Sequence, residues 1–124
     1  MQNLIIEKTA KTPYINCDSA KGEFKITGRS IPENPESFYE QMLEWLNNYF
    51  KNPQETTKLD IQLEYINSGS SKFILELLQL IQNNQNNSNC SINWLYEEDD
   101  EAILELGTHY QSILDISFNL IETY

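Results

Sequence analysis

Apolar and polar residues alternate in several stretches of this chain, and the alternation predicts strands. Residues 58–66 alternate with a period of two, which is typical of a strand with one buried face. Residues 90–96 show the same pattern. Shorter runs at residues 4–8, 14–17 and 23–27 predict two or three strands, of which the last two are expected to form a hairpin, and residues 118–121 predict a final strand.

Three segments change to the spacing of amphipathic helices. The first begins at Asn34-Pro35, a capping residue followed by a proline suited to the first helical position, and is expected to run to about residue 51. The second has its apolar side in residues 73–81. The third begins in the acidic run Glu97–Glu101 and continues through apolar positions to Tyr110.

The order of these elements predicts the fold class. Strands, helix, strand, helix, strand, helix and strand follow one another, and most strands alternate instead of being apolar throughout. A sheet buried on both faces would lose that alternation. We therefore expect an α/β (α+β-like) open mixed β-sheet with helices packed mainly on one face, formed by one domain that covers residues 1–124.

Charge and composition narrow the classes of function. The 124 residues carry a formal net charge of −11, which repels nucleic acid and anionic membrane surfaces. No apolar run approaches the roughly 18 residues of a membrane span, and the N-terminus lacks the layout of a signal peptide. We expect a cytoplasmic protein that inserts into no membrane. Cys17 and Cys90 are too few and too far apart for a disulfide framework or a metal site and are expected to be buried.

A serine-rich turn, Asn67–Lys72, joins the predicted strand 58–66 to the second helix. A helix N-terminus exposes backbone N–H groups and favours negative charge, so this turn is the first candidate site. Ser70 or Ser71 is expected to cap the helix, which leaves Ser68 free. A phosphate on Ser68 would have Lys72 one helical turn away.

Catalytic and metal-binding interpretations find little support in the residues. The turn lacks the glycine spacing of a P-loop and the SxxK spacing of a serine nucleophile. His109 is the only histidine and is expected to be either on a helix surface or partly packed, and the acidic run Glu97–Glu101 lacks the ligand spacing of an EF-hand. We expect no catalytic residue, no metal and no cofactor. A turn at residues 28–34, which contains Arg29, has an unusual composition and either shapes the approach to the first helix or is a contact for a partner.

Five stretches of the chain resemble the SiaC-type bacterial regulatory phosphoproteins, whose fold is similar to STAS domains. The matching stretches span nearly the whole chain, and the second and fourth together are specific. They are Thr12–Ile15, Gly28–Pro35, Phe38-Tyr39, Leu63–Lys72 and Trp94–Glu101.

The resemblance implies a phosphorylation switch without catalysis of its own. A cognate Ser/Thr protein kinase would phosphorylate Ser68, and a PP2C-type phosphatase would remove the phosphate. The unmodified form would bind and activate a diguanylate cyclase, or another output protein, in c-di-GMP signalling that controls biofilm formation and aggregation. Ser70 and Ser71 are the alternative acceptors.

The predicted site residues follow from the matching stretches. The surroundings of the phosphorylation site are Asn67, Gly69, Ser70, Ser71 and Lys72. The candidate partner contacts are Arg29, Ser30, Glu33, Asp99 and Asp100. Two other hypotheses stay open, a constitutive STAS-like interaction module that is never phosphorylated and a small enzyme that uses His109 or the acidic run.

Overall fold

A computed structural model describes residues 1–123, which form six strands and three helices. Each element lies where the sequence predicts it, with ends that differ by a few residues. In chain order they are β1 (Leu4–Ile6), β2 (Tyr14–Asp18), β3 (Glu23–Ser30), α1 (Pro35–Tyr49), β4 (Thr56–Ile66), α2 (Ser68–Asn83), β5 (Asn89–Glu97), α3 (Glu101–Ile113) and β6 (Ser117–Thr123).

The strands form one mixed sheet in the order β1-β2-β3-β4-β5-β6. β1, β2 and β3 pair antiparallel, and the strands from β3 to β6 run parallel. A single helix connects each parallel pair, and right-handed crossovers that step one way across a sheet place their helices on one face. Buried and exposed positions alternate along β4, as one-sided coverage requires. The predicted α/β class, an open mixed sheet with helices on one face, is confirmed.

Each helix begins at an asparagine or aspartate whose side chain accepts a hydrogen bond from a backbone N–H of the first turn. Asn34 caps α1, Asn67 caps α2 and Asp100 caps α3. Such caps satisfy donors that have no partner within the helix. The predicted start of α1 at Asn34-Pro35 is confirmed.

Trp94 on β5 anchors α3 to the sheet. The indole is completely buried, and its Nε1 donates to the carbonyl oxygen of Ile103 at 2.9 Å. Gly107 faces the indole so closely that an added Cβ would lie 2.4 Å from Cδ1 of Trp94 and 2.9 Å from Cδ2 of Leu120. The absence of a side chain at residue 107 therefore sets how closely α3 approaches the sheet.

Both cysteines are free and buried, as the sequence predicts. Burial raises the pKa of Cys17 to about 12. Burial also raises the pKa of Cys90, and hydrogen bonds from Ser88 and Thr57 act in the opposite direction. Protonated buried thiols behave as small apolar side chains.

The uncovered face of the sheet carries a row of hydrogen-bonded polar side chains. Asp60, Asn93 and Asn119 are neighbours across β4, β5 and β6. Nδ2 of Asn93 donates to Oδ1 of Asp60 at 2.9 Å, and Nδ2 of Asn119 donates to Oδ1 of Asn93 at 3.1 Å. These bonds order a row of side chains on the face that lacks a covering helix.

Two expectations change near the ends of β3 and β4. The register between β3 and β4 shifts after Gly28, so that Arg29 pairs with Tyr65 and Glu64 is left over. Strict alternation would bury Tyr65 beside Leu63, but the bulge turns its side chain outward and leaves it 59% exposed. The turn predicted at residues 28–34 also begins late, because β3 continues to Ser30.

Substitution Gly107→Ala is expected to destabilise the protein by about 1–3 kcal/mol, the range for over-packed cores. The added methyl group would overlap the buried indole of Trp94. Gly69→Ala is the matched control, because its Cβ would meet its nearest atom, Cγ of Pro35, only at 3.6 Å. Urea denaturation of both variants measures the difference, and a Gly107→Ala protein as stable as the wild type would contradict this account of the packing.

Candidate functional site at the start of helix α2

The serine-rich segment forms the first turn of α2 instead of a separate loop. Ser68 is the first helical residue and Asn67 is the cap, with its Oδ1 2.9 Å from the backbone nitrogen of Ser70. The expectation that Ser70 or Ser71 caps the helix is therefore wrong. The backbone N–H of Asn67 also donates to the carbonyl oxygen of Ser30 at 3.0 Å, which ties the start of α2 to the end of β3.

The three serines of this turn differ in accessibility. Ser68 is exposed. Ser70 is completely buried, and its hydroxyl has no hydrogen-bond partner among the residues described. Ser71 is half-buried, and its hydroxyl donates to the carbonyl oxygen of Ser68 at 2.9 Å. Of the three hydroxyls, only that of Ser68 is on an exposed residue.

Two buried tyrosines lie beneath the turn. Tyr110 of α3 donates its hydroxyl to the carbonyl oxygen of Ser71 at 2.6 Å. Tyr39 of α1 is hydrogen-bonded through its hydroxyl to Oγ of Ser30. Burial raises the pKa of Tyr39 to about 12, although the bond to Ser30 opposes the shift. Burial and the nearby Tyr39 both raise the pKa of Tyr110, so the two phenols stay protonated near neutral pH.

Lys72 extends from the exposed side of the turn toward α1. Its Nζ lies 5.0 Å from the ring centroid of Phe73. It lines a groove of about 270 Å³ between α1 and α2, which we call the α1–α2 groove; the other lining residues are Glu36, Glu40, Leu43, Phe73 and Glu76. The side chain predicted to offset a phosphate therefore lies beside three carboxylates of its own protein.

The candidate partner contacts on β3 and after it divide into exposed and buried residues. Arg29 is exposed, with its Nε 3.6 Å from Oε2 of Glu64. Glu33 is exposed and pairs with Lys11 at 3.3 Å. Ser30 is completely buried and forms part of the support beneath the turn. Arg29 and Glu33 can meet a partner, whereas Ser30 is not part of the exposed surface.

The candidate contacts before α3 lie in the acidic run. Asp99 is exposed, and Asp100 is half-buried with its Oδ1 3.1 Å from the backbone nitrogen of Ile103. Glu97 is the last residue of β5, and Glu101 is the first residue of α3. The run therefore connects a strand to a helix, and one of its carboxylates caps that helix.

The features behind the enzyme hypothesis, His109 and the acidic run, lie on α3 and in the segment that leads into it. His109 is exposed on α3, as the sequence predicts. Within residues 1–123, no group of three or more His, Cys, Asp or Glu side chains is arranged to hold a metal ion. No helix in the same range is both long and apolar enough to cross a membrane.

Sequence reasoning did not identify the tyrosines beneath the turn or the groove beside it. Tyr110 belongs to the predicted apolar side of the third helix, and Tyr39 appears only in a stretch that carries the family resemblance; the hydroxyl groups are the one sign of a polar role. The α1–α2 groove could not be predicted, because it depends on how α1 packs on α2. Gly69 and Pro35 show this approach, because a Cβ at residue 69 would lie 3.6 Å from Cγ of Pro35.

A family model and a relative from Pseudomonas aeruginosa each match nearly the whole chain. The model of the SiaC family regulatory phosphoprotein matches residues 6–123. An uncharacterized protein of Pseudomonas aeruginosa (strain UCBPP-PA14) is 30% identical over 119 residues, which cover 95% of this chain and 93% of the relative.

Solved structures of P. aeruginosa SiaC share the fold. One gives a TM-score of 0.91 at 27% identity and covers 99% of this chain and 100% of that chain. A second is of diguanylate cyclase SiaD in complex with its activator SiaC, with a TM-score of 0.90 at 27% identity over 97% of this chain and 99% of that chain. These matches confirm the predicted resemblance and the predicted regulatory, non-enzymatic class.

Substitution Tyr110→Phe is expected to cost about 0.5–1.5 kcal/mol of stability, the usual contribution of one hydrogen bond. The change removes the donor to the carbonyl oxygen of Ser71 and keeps the ring. Amide hydrogen exchange should quicken in the first turn of α2. Tyr65→Phe is the control, because that side chain is 59% exposed; equal exchange in the two variants would show that Tyr110 does not hold the turn.

Proposed function

The chain belongs to the SiaC family of regulatory phosphoproteins, and on this basis we propose that it is a switch that binds protein partners according to the phosphorylation of Ser68. A cognate Ser/Thr protein kinase adds the phosphate, and a PP2C-type phosphatase removes it. The unmodified form binds and activates a diguanylate cyclase and so raises cyclic di-GMP, which promotes biofilm formation and aggregation. The protein acts in the cytoplasm.

The accessibility of Ser68 is the observation that carries this proposal. Its residue is exposed at the first position of α2, whereas Ser70 is buried and the hydroxyl of Ser71 already bonds to a carbonyl oxygen. A kinase therefore reaches Ser68 without moving the core. The same comparison argues against Ser70 and Ser71 as acceptors.

A phosphate on Ser68 is compatible with the folded protein. It carries about −1.5 to −2 charges at pH 7. The positive end of the α2 dipole favours an anion at this position by about 0.3–1 kcal/mol. Asn67 caps the helix with its own side chain, so Ser68 is not needed as a cap. Modification should therefore act on the surface and leave the fold in place.

The surroundings of Ser68 support a role in docking. The start of α2 adjoins the start of α1, as the approach of Gly69 to Pro35 shows, and Asn67 is bonded to the end of β3. Exposed Arg29 and Glu33 flank the buried Ser30 on the segment that leads from β3 toward α1. A partner that covers this surface would meet the phosphate, and unfavourable juxtaposed charge weakens such contacts.

The diguanylate cyclase is proposed as the output by relation to P. aeruginosa SiaC, which is an activator of diguanylate cyclase SiaD. Conservation of fold over nearly the whole of both chains supports an equivalent partner. The exposed contacts Arg29, Glu33 and Asp99 are the proposed points at which it docks.

Substitution Ser68→Asp is expected to weaken cyclase binding about tenfold or more while leaving the thermal midpoint nearly unchanged. Ser68→Ala should bind like the unmodified wild type. Each variant is immobilised, cyclases retained from the protein's own cells are identified by mass spectrometry, and their synthesis of cyclic di-GMP is measured with each variant.

Ser117→Asp is the matched control, because Ser117 is exposed at the start of β6, at the other end of the parallel strands. Equal binding by Ser68→Asp and Ser117→Asp would count against the switch. A large drop in the thermal midpoint of Ser68→Asp alone would show that the turn controls folding instead.

Protein isolated from its own cells is expected to carry one phosphoryl group under some growth conditions, and Ser68→Ala is expected to carry none. Intact-mass analysis measures both. Absence of phosphate in the wild type under every condition would favour the constitutive interaction module. A phosphorylated Ser68→Ala protein would move the acceptor elsewhere.

A further inference from the structure

Lys72 is the only Lys or Arg within the three helices of residues 1–123. The acidic residues of these helices are Glu36, Glu40, Glu44, Glu76, Glu101 and Glu105. The helices therefore form an acidic layer with a single lysine. That lysine stands four residues after Ser68, on the same helix.

Among the described residues, the Lys72 ammonium contacts an aromatic ring and forms no ion pair. It lies over the ring of Phe73, with 5.0 Å between Nζ and the ring centroid. The ion pairs found within residues 1–123 are Lys11–Glu33 and Arg29–Glu64, and neither includes Lys72. The residue is exposed. A stronger anionic partner can therefore draw the side chain away without breaking an ion pair.

A phosphate on Ser68 would be such a partner. Residues four apart on a helix are neighbours, and an anion placed four residues before a lysine is the favourable orientation of the pair. A phosphate dianion attracts an ammonium more strongly than an exposed aromatic ring does. The α1–α2 groove would lose its cation in the exchange.

Building on the proposed phosphorylation of Ser68, we propose that Lys72 binds the phosphate and thereby transmits the effect of the modification to the partner-binding surface. In the unmodified protein, Lys72 offsets the carboxylates of Glu36, Glu40 and Glu76 and is available to a carboxylate of the partner. In the phosphorylated protein, Lys72 pairs with the phosphate, and the three carboxylates lose their cation. One phosphate thereby changes the charge of a surface that extends two helical turns from residue 68.

The partner implied for the unmodified form is a protein surface that presents a carboxylate to Lys72. Phosphorylation removes that ion pair and leaves glutamates that repel the same carboxylate. This mechanism differs from a direct clash between the phosphate and the partner, because it acts through a residue that can be changed separately.

Phosphorus NMR tests the first step on protein that carries phosphoserine at residue 68, installed during synthesis so that no kinase is required. The second pKa of the phosphate is expected to be lower, by about half a unit or more, with Lys72 present than in Lys72→Met. Lys51→Met, an exposed lysine beyond the far end of α1, is the control. Equal pKa values in the wild type and in Lys72→Met would overturn the proposal.

Proton NMR tests whether Lys72 leaves the groove. Its terminal methylene protons should be shifted upfield by the ring of Phe73 in the unmodified protein, and Phe73→Leu should abolish that shift. Phosphoserine at residue 68 is expected to bring the signals to their position in Phe73→Leu. Signals that stay upfield after phosphorylation would overturn the withdrawal of Lys72 from the groove.

A double-mutant cycle with the purified cyclase tests the effect on binding. Unmodified Lys72→Met should bind about tenfold more weakly than the wild type, and Lys72→Arg should retain binding. Ser68→Asp should add little to Lys72→Met, because both changes remove the same ion pair. Additive losses of cyclase affinity would overturn the proposed role of Lys72, although weaker binding by Ser68→Asp alone would still support the switch. Failure of the switch itself would show as full cyclase binding by Ser68→Asp.

Discussion

Burial of the sheet on one face is the constraint on which the rest of the structure depends. Because β3 to β6 run parallel and a single helix follows each of the first three, the core forms from alternate strand positions and one face of each helix. The same connectivity brings the starts of α1 and α2 together, as the approach of Gly69 to Pro35 shows. The positive ends of two helix dipoles therefore lie side by side. The candidate site is a consequence of the topology as much as of the serines in it.

The sequence carries most of the information on the elements because their periodicities are local. Strands 58–66 and 90–96 and the start of α1 at Asn34-Pro35 follow from patterns that tertiary contacts do not override. The capping residue of α2 is harder to predict, because Asn67, Ser70 and Ser71 are all good capping residues. The apolar pattern that begins at Phe73 does not show how far toward the N-terminus the helix extends.

Burial and contacts that depend on the packing of one element against another could not be predicted from the sequence. Tyr65 follows the strand alternation, but a β-bulge opposite β3 turns its side chain outward. The sequence places Ser30 among the surface contacts, but the residue is buried and its hydroxyl is hydrogen-bonded to that of Tyr39 on α1. The family resemblance implies Ser68 as the acceptor. The structure distinguishes it from its neighbours, because Ser70 is buried and the hydroxyl of Ser71 is hydrogen-bonded within the turn.

For the proposed phosphorylation, the position of Ser68 within a formed helical turn restricts how a kinase can bind it. A kinase that threads its substrate as an extended strand would first have to open the cap and the bond between Ser71 and Ser68. The hydrogen bond from Tyr110 to the carbonyl oxygen of Ser71 adds to the free energy needed to open the turn. The hydroxyl of this proposed acceptor lies on a preformed surface, which favours a kinase that recognises the folded domain. A short peptide copied from residues 63–72 would lack that surface.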